Sequence, residues 1–160
     1  MRRYSDQPFP AYRHRLDRTP HPTRDPRGHS YGLPEPIPLS CSQRNWPGCE
    51  PYLYGVDLFN HGYFWEAHTA FEQVWLAEGR ETVNGLFFQG LIQIAAGFLK
   101  LAGGEPDNAR MLVELGIEKL PTEPEVFFGL QLSPFITRIR ESLENEAIPP
   151  IIELQIENSF

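Results

Sequence analysis

The sequence lacks an apolar run of the kind that crosses a membrane. Its most apolar stretch covers residues 86–101 and is interrupted by Gln89, Gln93 and Lys100. This stretch falls short of the roughly 20 residues that a bilayer requires, and it predicts a buried core helix. No apolar segment of the length found in secretory signals follows Met1. We therefore expect a cytoplasmic location and no membrane partner.

Cysteine is also scarce, because Cys41 and Cys49 are the only two. Two cysteines are too few for a disulfide framework, and their separation does not match a zinc knuckle. We predict two reduced thiols. Length and composition are otherwise ordinary, with 160 residues, 41% hydrophobic and 22% charged, which indicates one folded domain with a real core rather than a disordered chain.

Charge is unevenly distributed along the chain. Residues 1–31 carry seven arginines and three aspartates, a net charge of +4, which leaves −11 for residues 32–160 when the total is −7. A basic arm attached to an acidic body is expected to fold back onto that body. Nucleic acid is not an expected partner, because the acidic body repels phosphate and the arm has no block of basic residues.

Proline separates the chain into three parts. Residues 1–48 contain nine of the 16 prolines, which excludes a long helix there. We predict an extended, proline-rich arm over residues 1–48 that packs on the body, a helical bundle over residues 49–146 and a tail over residues 147–160. The apolar tail is a strand, a docked extension or a dimer contact, and the sequence does not choose between these.

The body has helical periodicity from Glu50 onward. Glycine and proline punctuation predicts a first helix that stops near His61, then helices over about 63–77, 83–101 and 105–120, and a last helix that follows Pro134 and runs to about Asn145. A weak repeat at an offset of 42 residues matches Gly62, Ala67 and Glu72 with Gly104, Ala109 and Glu114. The predicted fold is therefore all-α, a compact bundle of four to five helices built from two helical hairpins.

A polar pair lies within an aromatic-rich helix. His68 and Glu72 are four residues apart and therefore share one helix face. On the next helix, Gln89 and Gln93 share a face in the same way. Buried polar groups need hydrogen-bond partners, so we predict that these residues face each other and form a polar pocket, with either a structural or a functional role. The candidate pocket residues are Glu66, His68, Glu72, Gln89 and Gln93.

A histidine and a glutamate at this spacing can bind one metal ion. If a metal is present, we expect a divalent cation held by His68 and Glu72. The second histidine of the zincin helix motif is absent. No second helix repeats the Glu-x-x-His pattern of ferritin-like carboxylate sites, which disfavours a di-iron bundle.

The arm contains a further group of candidates between His21 and Tyr31. This segment is dense in side chains that donate, accept or ligate, and it either docks on the body as cover or completes a site around Glu72. Arg24 and Asp25 can instead form a structural ion pair. The arm candidates are His21, Arg24, Asp25, His29 and Tyr31.

Three motifs in order resemble a known family. They are the Phe59-Asn60 turn, the helix with Glu66-Ala67-His68, and the run Gln-Gly-Leu-Ile-Gln over residues 89–93. Over about residues 50–121 the chain resembles a bacterial and archaeal helical family catalogued as domain of unknown function 309. The resemblance implies a compact helical bundle with no established activity. Thr69 stands where this family often has glutamate, which weakens a metal site that depends on that carboxylate.

Two functions from different classes fit these features. The first is a binding or interaction module, with a protein partner or a homodimer, that contains a buried polar pocket. The second is a small-ligand or metal-assisted, hydrolase-like enzyme in which His68 or Glu72 is a general base or metal ligand, the glutamines orient the substrate and Arg24 binds an anionic group. We favour the first, because no complete catalytic constellation is visible.

Overall fold

The computed structural model describes residues 1–156 and contains an all-α bundle, which confirms the predicted fold class. The helices are α1 (Glu50–Asn60), α2 (Phe64–Glu78), α3 (Val83–Ala102), α4 (Pro106–Lys119) and α5 (Leu132–Glu144). Between α4 and α5, the two-residue strands β1 (Val126–Phe127) and β2 (Leu130–Gln131) pair antiparallel. These strands were not predicted, because two residues are too few for a periodic pattern.

Two glycine turns define the helical hairpins. Gly62 joins α1 to α2 at φ +83°, and Gly104 joins α3 to α4 at φ +81°. Glycine adopts this left-handed conformation without the steric cost of a Cβ. The matched alanines of the repeat, Ala67 and Ala109, are both fully buried. The repeat therefore marks the same glycine turn and the same buried alanine in both hairpins.

The central helix is α3, which packs against α2 on one side and α4 on the other. It approaches α4 closely at Gly90 and Gly116, where a Cβ on either residue would lie 2.7 or 2.6 Å from the other's carbonyl oxygen. With 20 residues and a mean hydropathy of 1.4, α3 has the length and composition of a membrane span. The expectation that residues 86–101 are too short for a span was therefore wrong, because the helix extends beyond them at both ends. Of the 18 most apolar consecutive residues of α3, 56% are buried in the bundle.

The N-terminal end of the arm is held by a buried carboxylate. Asp57 on α1 accepts hydrogen bonds of 2.9 Å each from Arg3 Nε, the Tyr4 amide and the Ser5 amide. Three donors compensate for the burial of this charge. Further along, the Gln73 side chain on α2 donates to a carbonyl of the arm at 2.8 Å.

The return of the arm toward α1 pairs the two cysteines. Cys41 and Cys49 form a disulfide across a short turn, and their Cα atoms are 5.9 Å apart, within the usual range for this bond. The prediction of two reduced thiols is therefore wrong. The number of cysteines carries no information on this distance, which depends on a 3-10 turn at Trp46–Gly48.

The tail is a docked extension, the second of the three alternatives. The side-chain amide of Asn60 donates to the Ile152 backbone carbonyl at 2.8 Å, and its oxygen accepts from the Ile152 backbone N–H at 2.7 Å. Leu154 then forms a single antiparallel bridge with Leu130 of β2. The last part of the predicted tail, residues 157–160, lies outside the described residues.

Candidate functional site

A groove of about 870 Å³ lies between the arm and α2. It brings two of the five arm candidates, His21 and Arg24, together with the polar pair of α2. The α2 side is lined by Trp65, His68, Thr69, Glu72, Gln73 and Leu76, and the arm side by His21, Thr23, Arg24, Ser30 and residues 32–36.

The polar pair lines this groove instead of lying in the core. His68 Nε2 is 3.4 Å from Glu72 Oε1, and the two side chains are 24% and 41% exposed. His68 Nδ1 donates to the Trp65 carbonyl, so in the neutral imidazole Nε2 is the nitrogen with the lone pair. The expectation of a buried pair was wrong because α2 turns Ala67 and Phe71 to the core, which places His68 and Glu72 at its edge.

The two glutamines of α3 do not line the groove with His68 and Glu72. Gln93 Oε1 instead accepts a hydrogen bond of 2.7 Å from Lys119 Nζ on α4. Gln89 is half-buried, and neither glutamine lines the groove. Because α3 is apolar on nearly all sides, its periodicity could not tell which neighbouring helix the glutamines face.

Glu66 anchors the arm from below the groove. Its Oε2 accepts from the His14 amide at 3.0 Å and lies 2.6 Å from His29 Nε2. The His29 and Glu66 side chains are only 4% and 3% exposed. Glu66 Oε1 has no hydrogen-bond partner within the part of the chain that the structure describes. Glu66 was predicted to share a pocket with His68, but it does not line the groove, because it lies on a different face of α2 that the arm covers.

A serine extends this buried contact toward the groove. Ser30 Oγ lies 2.8 Å from the Nδ1 atom of His29. Because His29 Nε2 faces a carboxylate, the neutral ring carries its proton there, and Nδ1 accepts from the serine hydroxyl. The result is a hydrogen-bonded chain that starts at Ser30, which lines the groove, and runs through His29 to the buried Glu66.

Sequence reasoning missed Ser30, although the pentapeptide at residues 28–32 has the spacing G-x-S-x-G. That motif is diagnostic only between a strand and a helix, and here it lies in a loop. The conformation of this loop is sufficient to explain why both positions are glycine. A Cβ at Gly28 would lie 2.3 Å from the Pro22 carbonyl oxygen, and Gly32 has φ +78°. The contacts of Ser30, and not the motif, therefore indicate the chemistry of this segment.

Two further imidazoles surround the indole of Trp65. The ring centroids of His14 and His21 lie 5.7 and 5.6 Å from it, both edge-on. Burial lowers the pKa of His14 below its ordinary value of 6.5, and the nearby charge of Glu66 opposes this shift. His21 Nδ1 accepts from the backbone amides of two following residues, so its Nε2 carries the proton in the neutral ring.

The remaining arm candidates have separate positions. Asp25 pairs with Arg27 at 3.0 Å, and not with Arg24. The hydrogen bond from Arg27 lowers the pKa of the Asp25 carboxyl. Arg24 lines the groove and has no ion-pair partner among residues 1–156. Tyr31 is exposed and lies outside the groove lining.

Metal ligands are not clustered in the part of the chain that the structure describes. Within residues 1–156, no group of three or more histidine, cysteine, aspartate or glutamate side chains is arranged to hold a metal ion. His68 and Glu72 supply two ligands, fewer than the three or four protein ligands of typical zinc sites.

Comparison with known proteins gives a family match that covers the α2 side of the groove. Residues 52–112 match the model of the family described as Domain of unknown function (DUF309). This match confirms the predicted resemblance. The matched segment runs from α1 into α4 and includes every α2 residue of the groove, whereas the arm side lies outside it. No curated protein matches the chain.

Proposed function

We propose that this protein is a binding module whose groove between the arm and α2 takes a small carboxylic acid with an apolar body. The observation that carries the proposal is the position of Arg24, a cation without an ion-pair partner among residues 1–156, beside an apolar and aromatic groove surface. This combination of an apolar lining with a few polar groups is typical of small-molecule sites.

The apolar part of the ligand would pack on Trp65, Leu33 and Leu76. Leu33 is 66% exposed and Leu76 is 60% exposed, so much of their apolar surface is in contact with water. Covering this surface is favourable, at about 25 cal/mol for each Å² removed from water. The indole adds a flat, rigid contact surface at low entropic cost.

The carboxylate would be bound by Arg24 and His21. Guanidinium groups bind carboxylates through two parallel hydrogen bonds, and the Nε2 proton of neutral His21 is a second donor at this groove. Glu35 and Glu72 also line it, and their charge disfavours a ligand with a second negative group. A monoanion therefore fits better than a dicarboxylate or a phosphate.

Calorimetric titration of the full chain with octanoate tests this function. Losing a charge-assisted hydrogen bond costs about 1.5–3 kcal/mol, so Arg24→Gln is expected to weaken binding by roughly 10- to 100-fold. Arg27→Gln is the matched control, because Arg27 is paired with Asp25 and does not line the groove. Absence of octanoate binding, or an equal loss in both variants, would refute the proposed function.

A further inference from the structure

We propose that Ser30 is the nucleophile of an acyl-transfer site, with His29 as its general base and Glu66 as the residue that positions His29. The substrate class is esters of small carboxylic acids with an apolar body. This inference rests on the proposed function, since the acyl part of the ester would lie in the same groove as the acid.

The hydrogen-bonded chain has the order that a nucleophile and its base require. Ser30 Oγ is 2.8 Å from His29 Nδ1, and His29 Nε2 is 2.6 Å from Glu66 Oε2. Both distances are within the range expected for a nucleophile, a base and the group that orients the base. The carboxylate fixes which ring nitrogen is free to accept a proton, and it stabilises the imidazolium that forms when the proton arrives.

Burial makes this arrangement rigid and leaves one group accessible. The His29 and Glu66 side chains are almost fully buried, and the His14 amide donates a second hydrogen bond to the same carboxylate oxygen. Ser30 is only partly buried and lines the groove. The serine is thus the member of the chain that a ligand in the groove can contact.

The reaction balances without a cofactor. Ser30 Oγ attacks the ester carbonyl carbon and gives its proton to His29 Nδ1; the bond to the alcohol oxygen then breaks, and the alcohol leaves with that proton. The acyl group is now an ester of Ser30. Water attacks this ester and gives a proton to His29 Nδ1, and the serine oxygen takes that proton as the acid is released.

Two measurements on the full chain test the role of Ser30. A fluorophosphonate reagent followed by peptide mass spectrometry should give an adduct on Ser30. Ser30→Ala should lower p-nitrophenyl octanoate hydrolysis by about 100-fold or more. The matched control is Ser40→Ala, which removes an arm hydroxyl that binds the Glu78 carboxylate at 2.7 Å and lies outside the groove lining. No adduct on Ser30, or equal hydrolysis by Ser30→Ala and the unaltered chain, would overturn the inference.

The positioning role of Glu66 has its own readout. Glu66→Gln keeps an acceptor oxygen but removes the charge that faces His29, so kcat should fall while KM changes little. Glu66→Asp keeps the charge that faces His29, so it should restore part of the lost kcat. An equal loss of kcat in Glu66→Gln and Glu66→Asp would assign Glu66 a structural role and overturn this part.

Binding by Ser30→Ala separates this inference from the proposed function. If Ser30→Ala and the unaltered chain both bind octanoate but no adduct forms on Ser30, the acyl-transfer inference fails and the binding function stands. If neither protein binds octanoate, the binding function fails.

Discussion

The contact between Glu66 and the arm makes a strong prediction about stability. Glu66→Ala removes the acceptor of the His14 amide and of the His29 ring, both of which are buried. Removing one partner of a buried pair costs about 3–5 kcal/mol, because the other polar groups stay buried and unpaired. The arm should therefore open about 100-fold more often, or more.

Limited trypsin digestion measures this opening, because cleavage at Arg13 or Arg18 in the arm follows the population of the open form. Glu72→Ala is the matched control on the same helix. Its carboxylate is 41% exposed and 3.4 Å from His68, so its loss should cost less than about 1 kcal/mol. Equal cleavage rates in the two variants would refute the role assigned to Glu66.

Two further predictions concern pH and the disulfide. The pKa of His14 is lowered in the folded chain, so the unfolded chain takes up the proton first, and the free energy of unfolding should fall as the pH drops below about 6.5. Urea titrations should give a weaker pH dependence for His14→Gln, and an unchanged dependence would contradict the assignment. Reducing the disulfide, which spans eight residues between Cys41 and Cys49, should lower the free energy of unfolding by about 2–3 kcal/mol. A free energy of unfolding that dithiothreitol does not change would contradict this pairing.

The bundle could be predicted from sequence because its determinants are local. Gly62 and Gly104 sit at positive φ where each hairpin turns, and each is followed five residues later by a buried alanine. Helical periodicity located four of the five helices to within one or two residues at each end. The start of α5 was placed after Pro134, whereas the helix begins at Leu132 and accommodates the proline in its first turn.

The site could be predicted only in part, because its contacts join residues distant in the chain. The helical spacing correctly put His68 and Glu72 side by side, but it could not show that the arm, rather than α3, lies across from them. The partners Glu66 and His29 are separated by 37 residues, and no periodic pattern connects an extended arm to a helix. Charge complementarity between arm and body was the one sequence signal that pointed to their contact.

The position of the arm over Trp65 is the central claim, and the nuclear Overhauser effect measures it directly. In the structure, the rings of His14 and His21 lie 5.7 and 5.6 Å from the indole, centroid to centroid. Cross-peaks between the Trp65 ring protons and both imidazoles are therefore expected in the full chain. Their absence, with the cross-peaks inside the bundle intact, would contradict the groove and both functions proposed for it.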